Sequence, residues 1–363
     1  NKFKMMSNHL KFINLAHDIA LKNLGKTFPN PSVGCIISKN NKIISRGVTS
    51  STGRPHAEEI ALKKAGKKSK GATMYVTLEP CFHSSQNGSC TDQILRSGIK
   101  EVYISCIDQD PRTKNKSINK LKRNKIKVIV GIQKNKTLST NNFFFKSLLN
   151  KKPFTKVKMA ISSDDKIAWG NYKSKWISNS KSRKYVHDLR SKTQAILTTS
   201  KTILKDNPRF TVRKNNKIIK YLNVVVIDKN LNTPLNTKLL KNLHERRVII
   251  VTSKNNPRSQ KFKQLGCEVL EMKIENNKLN LKKIFTHLYK LKISDLLVEA
   301  GGILFADLIK NKLVDEIHLF KAPIIIGEQG IPVIEGNSLK NIKKKLIETI
   351  KFEDNLYSKY KVN

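Results

Sequence analysis

Hydrophobic residues recur along the chain in short runs, and the spacing within each run predicts a helix or a strand. In the first run, apolar residues three and four positions apart predict an amphipathic helix over 8–24. These residues are Leu10, Ile13, Ala16, Ala20 and Leu24. Proline and glycine in "PNPSVG" then end the helix, so a strand is expected to follow.

The rest of the first half alternates short strands with short helices. We expect strands over 33–38, 42–46, 73–78, 101–105 and 126–130, with helices over 57–66 and 90–97. This alternation predicts a three-layer α/β/α sandwich. A polar stretch with a short apolar cluster then leads to Pro153, so we divide the chain into domains 1–147 and 148–363.

The second half repeats the alternation with different spacing and predicts a separate α/β domain. The expected strands cover 154–162, 194–199, 222–228, 246–253, 295–302 and 314–323, and the expected helices lie near 180–191, 281–291 and 303–310. At 363 residues the chain is long enough for two such domains.

The charge is strongly basic, with 71 Lys and Arg against 27 Asp and Glu and a formal net charge of +44. Such an excess raises the question of a nucleic-acid or anionic-surface partner. The lysines, however, are spread along the whole chain together with many asparagines, which indicates compositional bias rather than one basic face. We therefore expect the charge to help bind phosphorylated substrates and expect no nucleic acid.

Five cysteines are too few, and odd in number, for a disulfide framework, which favours reduced thiols. No run of about 18 apolar residues exists, so we expect no membrane span. The first residues lack the pattern of a secretory signal. These features together predict a cytoplasmic protein.

The residue order His-x-Glu, then Pro-Cys, then a later Cys predicts a catalytic zinc site. His56, Cys81 and Cys90 supply one nitrogen and two sulfur ligands, which leaves a fourth position for water. Glu58, two residues after His56, can take a proton from the water and hand it to a leaving amine. A lone His or Cys is more often a packed residue, so the prediction rests on the complete pattern.

The eight residues between the cysteines in "CFHSSQNGSC", with "FPNPSVGCII" upstream, resemble the deaminase domain of the bifunctional riboflavin-biosynthesis deaminase-reductases. The stretches "YKSKWIS", "TSKTILKDNPRFTVR" and "VEAGGILFADL" resemble the reductase domain of the same family. The resemblance implies a cytidine-deaminase-like fold followed by a dihydrofolate-reductase-like fold. It also implies Zn²⁺, NADPH and a phosphoribosylaminopyrimidine substrate, which would lose its 2-amino group before its ribosyl group is reduced to ribityl.

The resemblance assigns roles to individual residues. Asn30 and Gly34 would line the pyrimidine pocket. The contacts to the phosphoribosyl substrate would be Ser174, Arg190, Phe210, Arg213 and Glu299. The contacts to NADPH would be Ala160, Trp176, Thr202 and Asp206. Gly301 and Gly302, between a strand and a helix, leave room for a cofactor phosphate at the helix N-terminus.

Three positions depart from the family pattern. Phe28 stands where the family usually has histidine, and "QNGS" at 86–89 replaces a Thr-Pro-Pro run. Asp165, in "SSDD", stands where a glycine is expected, so we expect a strained or reshaped loop there.

Two other functions also account for part of the pattern. A zinc-dependent tRNA deaminase would explain the zinc site together with the basic second half, but it predicts clustered basic residues with interleaved aromatics, and aromatics are only 7% of the chain. A structural zinc site in a binding protein would normally have four ligands, whereas three are well placed here. The sequence does not determine the oligomeric state, and a homo-oligomer is one of the alternatives.

Overall fold

The chain divides into two compact units, Asn1–Lys151 and Lys152–Asn363. The computed structural model describes residues 2–83, 88–170, 177–334 and 339–362, with only the backbone of 2–6. Among these residues, no helix is both long and apolar enough to span a membrane.

The first unit is built around a five-stranded sheet of order β2-β1-β3-β4-β5. Its elements are α1 (Lys2–Lys22), β1 (Gly34–Lys39), β2 (Lys42–Val48), α2 (Ala57–Ala65), β3 (Thr73–Leu78), α3 (Cys90–Arg96), β4 (Glu101–Cys106), α4 (Lys116–Arg123), β5 (Lys127–Val130), α5 (Lys134–Thr140) and α6 (Asn142–Asn150). The strands β3, β4 and β5 are parallel, whereas β1 is antiparallel to both β2 and β3.

Alternation along the buried strands gives this sheet two apolar faces. On β1 and β3, Ile36 and Tyr75 pack with Ile13 of α1 on one face. Their neighbours Cys35 and Val76 pack on the other face, with residues of α2, α3 and α4. Because successive side chains of a strand point to opposite faces, a strand that is apolar throughout needs helices on both sides. The predicted three-layer sandwich is confirmed.

The stretch before Pro153 is helical, which the hydrophobic pattern did not reveal. It forms α5 and α6, and α6 runs across position 147. Asn141, between the two helices, accepts a hydrogen bond from the backbone N–H of Ser32 at 2.9 Å and donates one to its carbonyl at 3.1 Å. Phe143 packs edge-on against Phe28, with ring centroids 4.8 Å apart. The phenylalanine that departs from the family pattern is thus a packing partner of α6.

The second unit contains a nine-stranded sheet of order β13-β12-β11-β8-β16-β6-β17-β20-β19. Its elements are β6 (Phe154–Ile161), β7 (Lys166–Ala168), α7 (Ser180–Ser191), β8 (Ala195–Thr199), α8 (Ser200–Asp206), β9 (Thr211–Lys214), β10 (Lys217–Tyr221), β11 (Asn223–Ile227), β12 (Val248–Ser253), α9 (Ser259–Gln264), β13 (Glu268–Met272), β14 (Ile274–Glu275), β15 (Lys278–Leu279), α10 (Leu281–Lys290), β16 (Asp295–Val298), α11 (Gly302–Lys310), β17 (Glu316–Lys321), β18 (Ile331–Pro332), β19 (Lys344–Phe352) and β20 (Asn355–Val362).

Seven neighbouring strands of this sheet, from β13 to β17, run parallel, and β20 is antiparallel to them. The helices α10 and α11 cover one face with buried residues such as Phe285 and Phe305. The opposite face of the sheet holds a second apolar cluster that includes Val224 and Phe262. This arrangement confirms the predicted dihydrofolate-reductase-like α/β fold.

The hairpin β19–β20 was not predicted. Most of β19 is exposed, including Leu346 and Ile347, so its apolar residues follow no inside-outside alternation. Without such alternation a strand leaves no periodic signal in the sequence.

Candidate active sites

The first site is formed where α2 and α3 begin. His56 is the residue immediately before α2, and its backbone N–H donates to the Glu59 carboxylate at 2.6 Å. Cys81 follows β3, and Cys90 is the first residue of α3, with Ser89 accepting a hydrogen bond from the Asp92 N–H. Both helix starts are therefore capped, which fixes the direction of the His56 and Cys90 side chains.

The ligand atoms of His56, Cys81 and Cys90 all lie within 4.8 Å of one another. His56 Nδ1 is 3.3 Å from Cys90 Sγ, and the Cys90 backbone N–H donates to Cys81 Sγ at 3.3 Å. Zinc bonds of about 2.0–2.3 Å need ligand atoms roughly 3.6 Å apart in a tetrahedral site. One imidazole and two thiols at these separations fit a zinc ion, and a set of three leaves one coordination position for water.

The two thiols share one proton unequally. The Cys90 thiol donates a hydrogen bond to Cys81, which lowers the pKa of Cys81 to about 4, while that of Cys90 rises well above its ordinary value. Burial lowers the pKa of His56, but the hydrogen bond with Cys81 and the charge of Glu58 outweigh it, so the pKa is raised. A thiolate is thus already favoured at one ligand position, as zinc binding requires.

Glu58 lies in the first turn of α2 and is only 4% exposed. Burial raises the pKa of its carboxyl to about 7, against the opposing effect of the nearby His56. A buried carboxyl near these ligands, with a pKa close to neutrality, can both accept and release a proton at physiological pH.

Of the predicted pyrimidine-pocket residues, Asn30 lies on the turn that precedes β1 and Gly34 is the first residue of β1. The Asn30 side-chain amide donates to the Gly53 carbonyl at 3.0 Å, which ties this turn to the segment leading into His56. Gly34 is buried under α1, where an added Cβ would lie 1.9 Å from the Ala16 carbonyl oxygen. Close packing of α1 on β1 accounts for this glycine, and a substrate contact by Gly34 stays a prediction.

The second site lies at the carboxyl ends of β8, β16 and β6, which are neighbours in the sheet. Ala160 is near the end of β6, and Thr202 and Asp206 lie on α8, which directly follows β8. Ligands of open parallel sheets bind at this edge. Ser174 and Trp176 lie outside the described residues.

Arg190 and Glu299 form a buried bidentate pair at this edge, with Nε–Oε1 and Nη2–Oε2 distances of 2.7 and 2.8 Å. Burial alone would raise the pKa of Glu299, but Arg190 and Lys158 lower it to about 2. Lys158 Nζ is 3.7 Å from Glu299 Oε2. Lys158 was not among the residues predicted from the sequence, although a lysine at a polar position of the apolar-polar alternation in β6 is a signal for such a role.

Phe210 and Arg213 lie at opposite ends of a short segment that enters β9. Phe210 is 3% exposed and has a left-handed φ of +45°. Arg213 is exposed, and its backbone N–H donates to His187 Nδ1 at 3.2 Å. Of these two residues, only Arg213 presents its side chain to solvent, where its Nε donates to Thr211 Oγ1 at 3.3 Å.

The two glycines at the start of α11, Gly301 just before it and Gly302 as its first residue, have different surroundings. An added Cβ at Gly302 would lie 2.8 Å from the Val333 carbonyl oxygen, so close packing requires this glycine. A Cβ at Gly301 would meet no atom of the described residues within 4 Å. Neither packing against them nor its backbone angle of φ −77° explains the glycine at position 301.

Asp165 adopts a left-handed φ of +59° in the turn between β6 and β7. Its backbone N–H donates to the Ser162 carbonyl at 3.2 Å, and Lys321 Nζ lies 3.0 Å from its carboxylate. The loop therefore takes the conformation that suits glycine, with an aspartate in its place.

Comparison with known families divides the chain in the same way. Residues 6–106 match the cytidine and deoxycytidylate deaminase zinc-binding region, and residues 153–356 match the RibD C-terminal domain. The riboflavin biosynthesis protein RibD of Aquifex aeolicus is 38% identical over 348 residues, covering 93% of this chain and 95% of that protein.

Solved structures give the same result over almost the whole length. Acinetobacter baumannii RibD, form 1, is 29% identical with a TM-score of 0.88, covering 98% of this chain and 99% of that one. A diaminohydroxyphosphoribosylaminopyrimidine deaminase/5-amino-6-(5-phosphoribosylamino)uracil reductase from Thermotoga maritima is 30% identical with a TM-score of 0.85, covering 98% and 99%. The resemblance inferred from the motifs is confirmed. The chain belongs to the RibD family of riboflavin biosynthesis proteins.

Proposed function

We propose that the chain catalyses two consecutive steps of riboflavin biosynthesis on one phosphoribosylaminopyrimidine. The first unit, Asn1–Lys151, would deaminate the pyrimidine hydrolytically, and the second, Lys152–Asn363, would reduce the ribosyl group to ribityl with NADPH. The observation that carries the proposal is the convergence of the His56, Cys81 and Cys90 ligand atoms within 4.8 Å beside a buried glutamate. The relative from Thermotoga maritima carries both activities in its name.

In the first unit, His56, Cys81 and Cys90 would hold the zinc ion. Zinc supplies Lewis acidity that lowers the pKa of water toward neutrality. Glu58 would take the proton of the attacking water and deliver it to the departing ammonia, a transfer suited to a carboxyl with a pKa of about 7. Asn30 would hydrogen-bond the edge of the pyrimidine.

In the second unit, NADPH would supply a hydride to the ribosyl carbon attached to nitrogen. The cofactor would contact Ala160, Thr202, Asp206, Gly301 and Gly302. In the part of the chain that is not described, Trp176 would also contact the cofactor, and Ser174 would contact the substrate.

The Arg213 guanidinium would bind the substrate phosphate, because its planar fork suits that group. Phe210, with the Arg190–Glu299 pair, would complete the substrate contacts. Lys158, 3.7 Å from Glu299, could supply the proton that the ribose oxygen takes up on ring opening.

The comparisons give no support to a tRNA deaminase. Absence of nucleic acid, a cytoplasmic location and assembly into a homo-oligomer stay predictions.

The test is to incubate the purified, zinc-loaded protein with the diaminopyrimidine ribosyl phosphate, with and without NADPH. Ammonia release and NADPH absorbance are followed in the same reaction. We expect ammonia without cofactor and substrate-dependent NADPH oxidation when the cofactor is present. Ammonia without oxidation would overturn the assignment of the second unit, and neither signal would overturn both.

A further inference from the structure

Arg246 is a buried arginine to which the described residues offer no carboxylate partner. It lies just before β12 and is only 7% exposed. Its Nε and Nη2 atoms hydrogen-bond to none of the described residues, and no ion pair to it is found among them. Burying an unpaired guanidinium costs free energy, so other contacts must compensate for it.

Those contacts are two backbone carbonyls and one aromatic ring. Arg246 Nη1 donates to the carbonyl oxygens of Arg209 at 2.7 Å and Phe210 at 3.3 Å. Its guanidinium carbon lies 5.3 Å from the centre of the Tyr221 ring, in cation–π distance. Burial lowers the pKa of Arg246 to about 10, so the group is still charged at neutral pH.

The carbonyls that Arg246 holds belong to a strained turn. Phe210 has a left-handed φ of +45°, which is unfavourable for a bulky side chain. Such a conformation persists only where the surrounding contacts fix it. Here the buried Phe210 ring packs in the apolar cluster around Val224, and the Phe210 carbonyl accepts from Arg246 and, at 3.2 Å, from the Leu222 backbone N–H.

A second arginine holds the same segment from α7. Arg190 Nη1 donates to the carbonyl of Thr211 at 3.3 Å, while the rest of its guanidinium pairs with Glu299. Two guanidinium groups thus bind three consecutive carbonyls, those of Arg209, Phe210 and Thr211. This segment therefore connects Arg213 to the Arg190–Glu299 pair.

We propose that Arg246 is a positioning residue for the reduction step. It fixes the turn at Arg209 and Phe210, and through that turn the direction of Arg213 toward the substrate phosphate. Arg246 itself does not touch substrate. This inference rests on the proposed function, since it assumes that Arg213 binds the phosphoribosyl group.

The experiment compares Arg246→Met with Arg247→Met in the full-length protein. Arg247 is the adjacent residue of the same type, but it forms a surface pair with Glu268, at 2.7 and 2.9 Å, and does not contact the segment. Initial rates of NADPH oxidation are measured against the concentration of the deaminated substrate at saturating NADPH. Ammonia release by the first unit is the internal control.

We expect Arg246→Met to raise KM for the phosphoribosyl substrate about tenfold or more with a much smaller change in kcat, because binding is lost rather than chemistry. KM for NADPH and ammonia release should stay unchanged, and Arg247→Met should resemble the wild type. Arg246→Lys keeps a charge that can reach one carbonyl and should give an intermediate KM. This variant replaces Arg246→Met in the experiment if Arg246→Met does not fold.

Hydrogen–deuterium exchange over residues 207–214 provides a readout that does not depend on activity. Uptake there should rise in Arg246→Met and not in Arg247→Met. An unchanged KM in an active Arg246 variant would overturn the positioning role, as would a parallel loss of substrate and NADPH binding with a lowered melting temperature. Absence of NADPH oxidation by the wild type would instead overturn the proposed function.

Discussion

Arg190 and Glu299 bind each other through two hydrogen bonds of 2.7 and 2.8 Å at the carboxyl edge of the second sheet. The family resemblance implies that each contacts the substrate, but it does not show that they pair. The guanidinium and the carboxylate are 18% and 9% exposed, so solvent screens their attraction only weakly. A substrate that reaches this edge therefore meets a preformed ion pair rather than two free charges.

The pairing predicts how stability depends on pH. Glu299 has an ordinary pKa of 4.5 when unfolded and about 2 when folded, so its contribution to the free energy of unfolding is complete above pH 4.5. This contribution, on the order of 3 kcal/mol, should be lost as pH falls toward 2. Glu299→Gln should therefore lower stability at pH 7, and the difference from wild type should shrink on acidification.

Urea unfolding of the second unit between pH 7 and 3 measures this difference. The matched control is Glu268→Gln, which removes an exposed bidentate pair with Arg247 and should cost less than about 1 kcal/mol. A constant difference between wild type and Glu299→Gln across the range would contradict the prediction.

Glu58→Gln should separate zinc binding from deamination. The amide cannot carry a proton, so ammonia release should fall about 10²- to 10⁴-fold or more. Zinc content by metal analysis and NADPH oxidation with the deaminated substrate should match the wild type. A variant that retains full ammonia release would rule out the proton-transfer role, and zinc loss would assign Glu58 to the ligand set instead.

Cys90→Ser should reduce bound zinc well below the roughly one ion per chain expected of the wild type, because a hydroxyl is a poor replacement for a thiolate ligand. Cys267→Ser is the control, since Cys267 is also buried but lies in the second unit. Equal zinc content in both variants would show that the metal does not bind at this cluster.

Gly301→Ala should leave stability nearly unchanged and weaken NADPH binding. The added methyl meets no described atom within 4 Å, so a loss of affinity would report the approach of the cofactor phosphate. Gly302→Ala should instead lower the melting temperature, because its Cβ would lie 2.8 Å from the Val333 carbonyl oxygen. NADPH titration and thermal unfolding of both variants distinguish the two effects. An unchanged Kd for NADPH in Gly301→Ala would argue against a cofactor at this turn.

Asp165→Gly and Asp165→Ala should differ in stability by about 1 kcal/mol, with alanine the less stable, because only glycine adopts the left-handed conformation without steric cost. The ion pair with Lys321 is lost in both variants, so the comparison isolates the backbone. Equal urea midpoints would show that the turn changes shape in the alanine variant.

Phe28 and Asp165 show why departures from a motif need the structure. From the sequence, each is a substitution at a position of expected importance. In the fold, Phe28 has a packing partner in Phe143, which lies more than a hundred residues away, and Asp165 sits in a left-handed turn. Neither the distant partner nor the backbone angle can be read from local sequence.

The sequence by itself determined most strands of the two large sheets and several of the helices beside them, because apolar spacing depends on the period of each element. It did not reveal α5 and α6 or the hairpin β19–β20. It also determined the identity of the zinc-type cluster, since His56, Glu58, Cys81 and Cys90 form a pattern that needs no coordinates. Only the tertiary structure decided that Arg190 pairs with Glu299, and that Arg246 holds the turn at Phe210. These contacts join residues that are 36 to 109 positions apart in the sequence. Sheet order and packing bring such residues together, and no local sequence pattern specifies that.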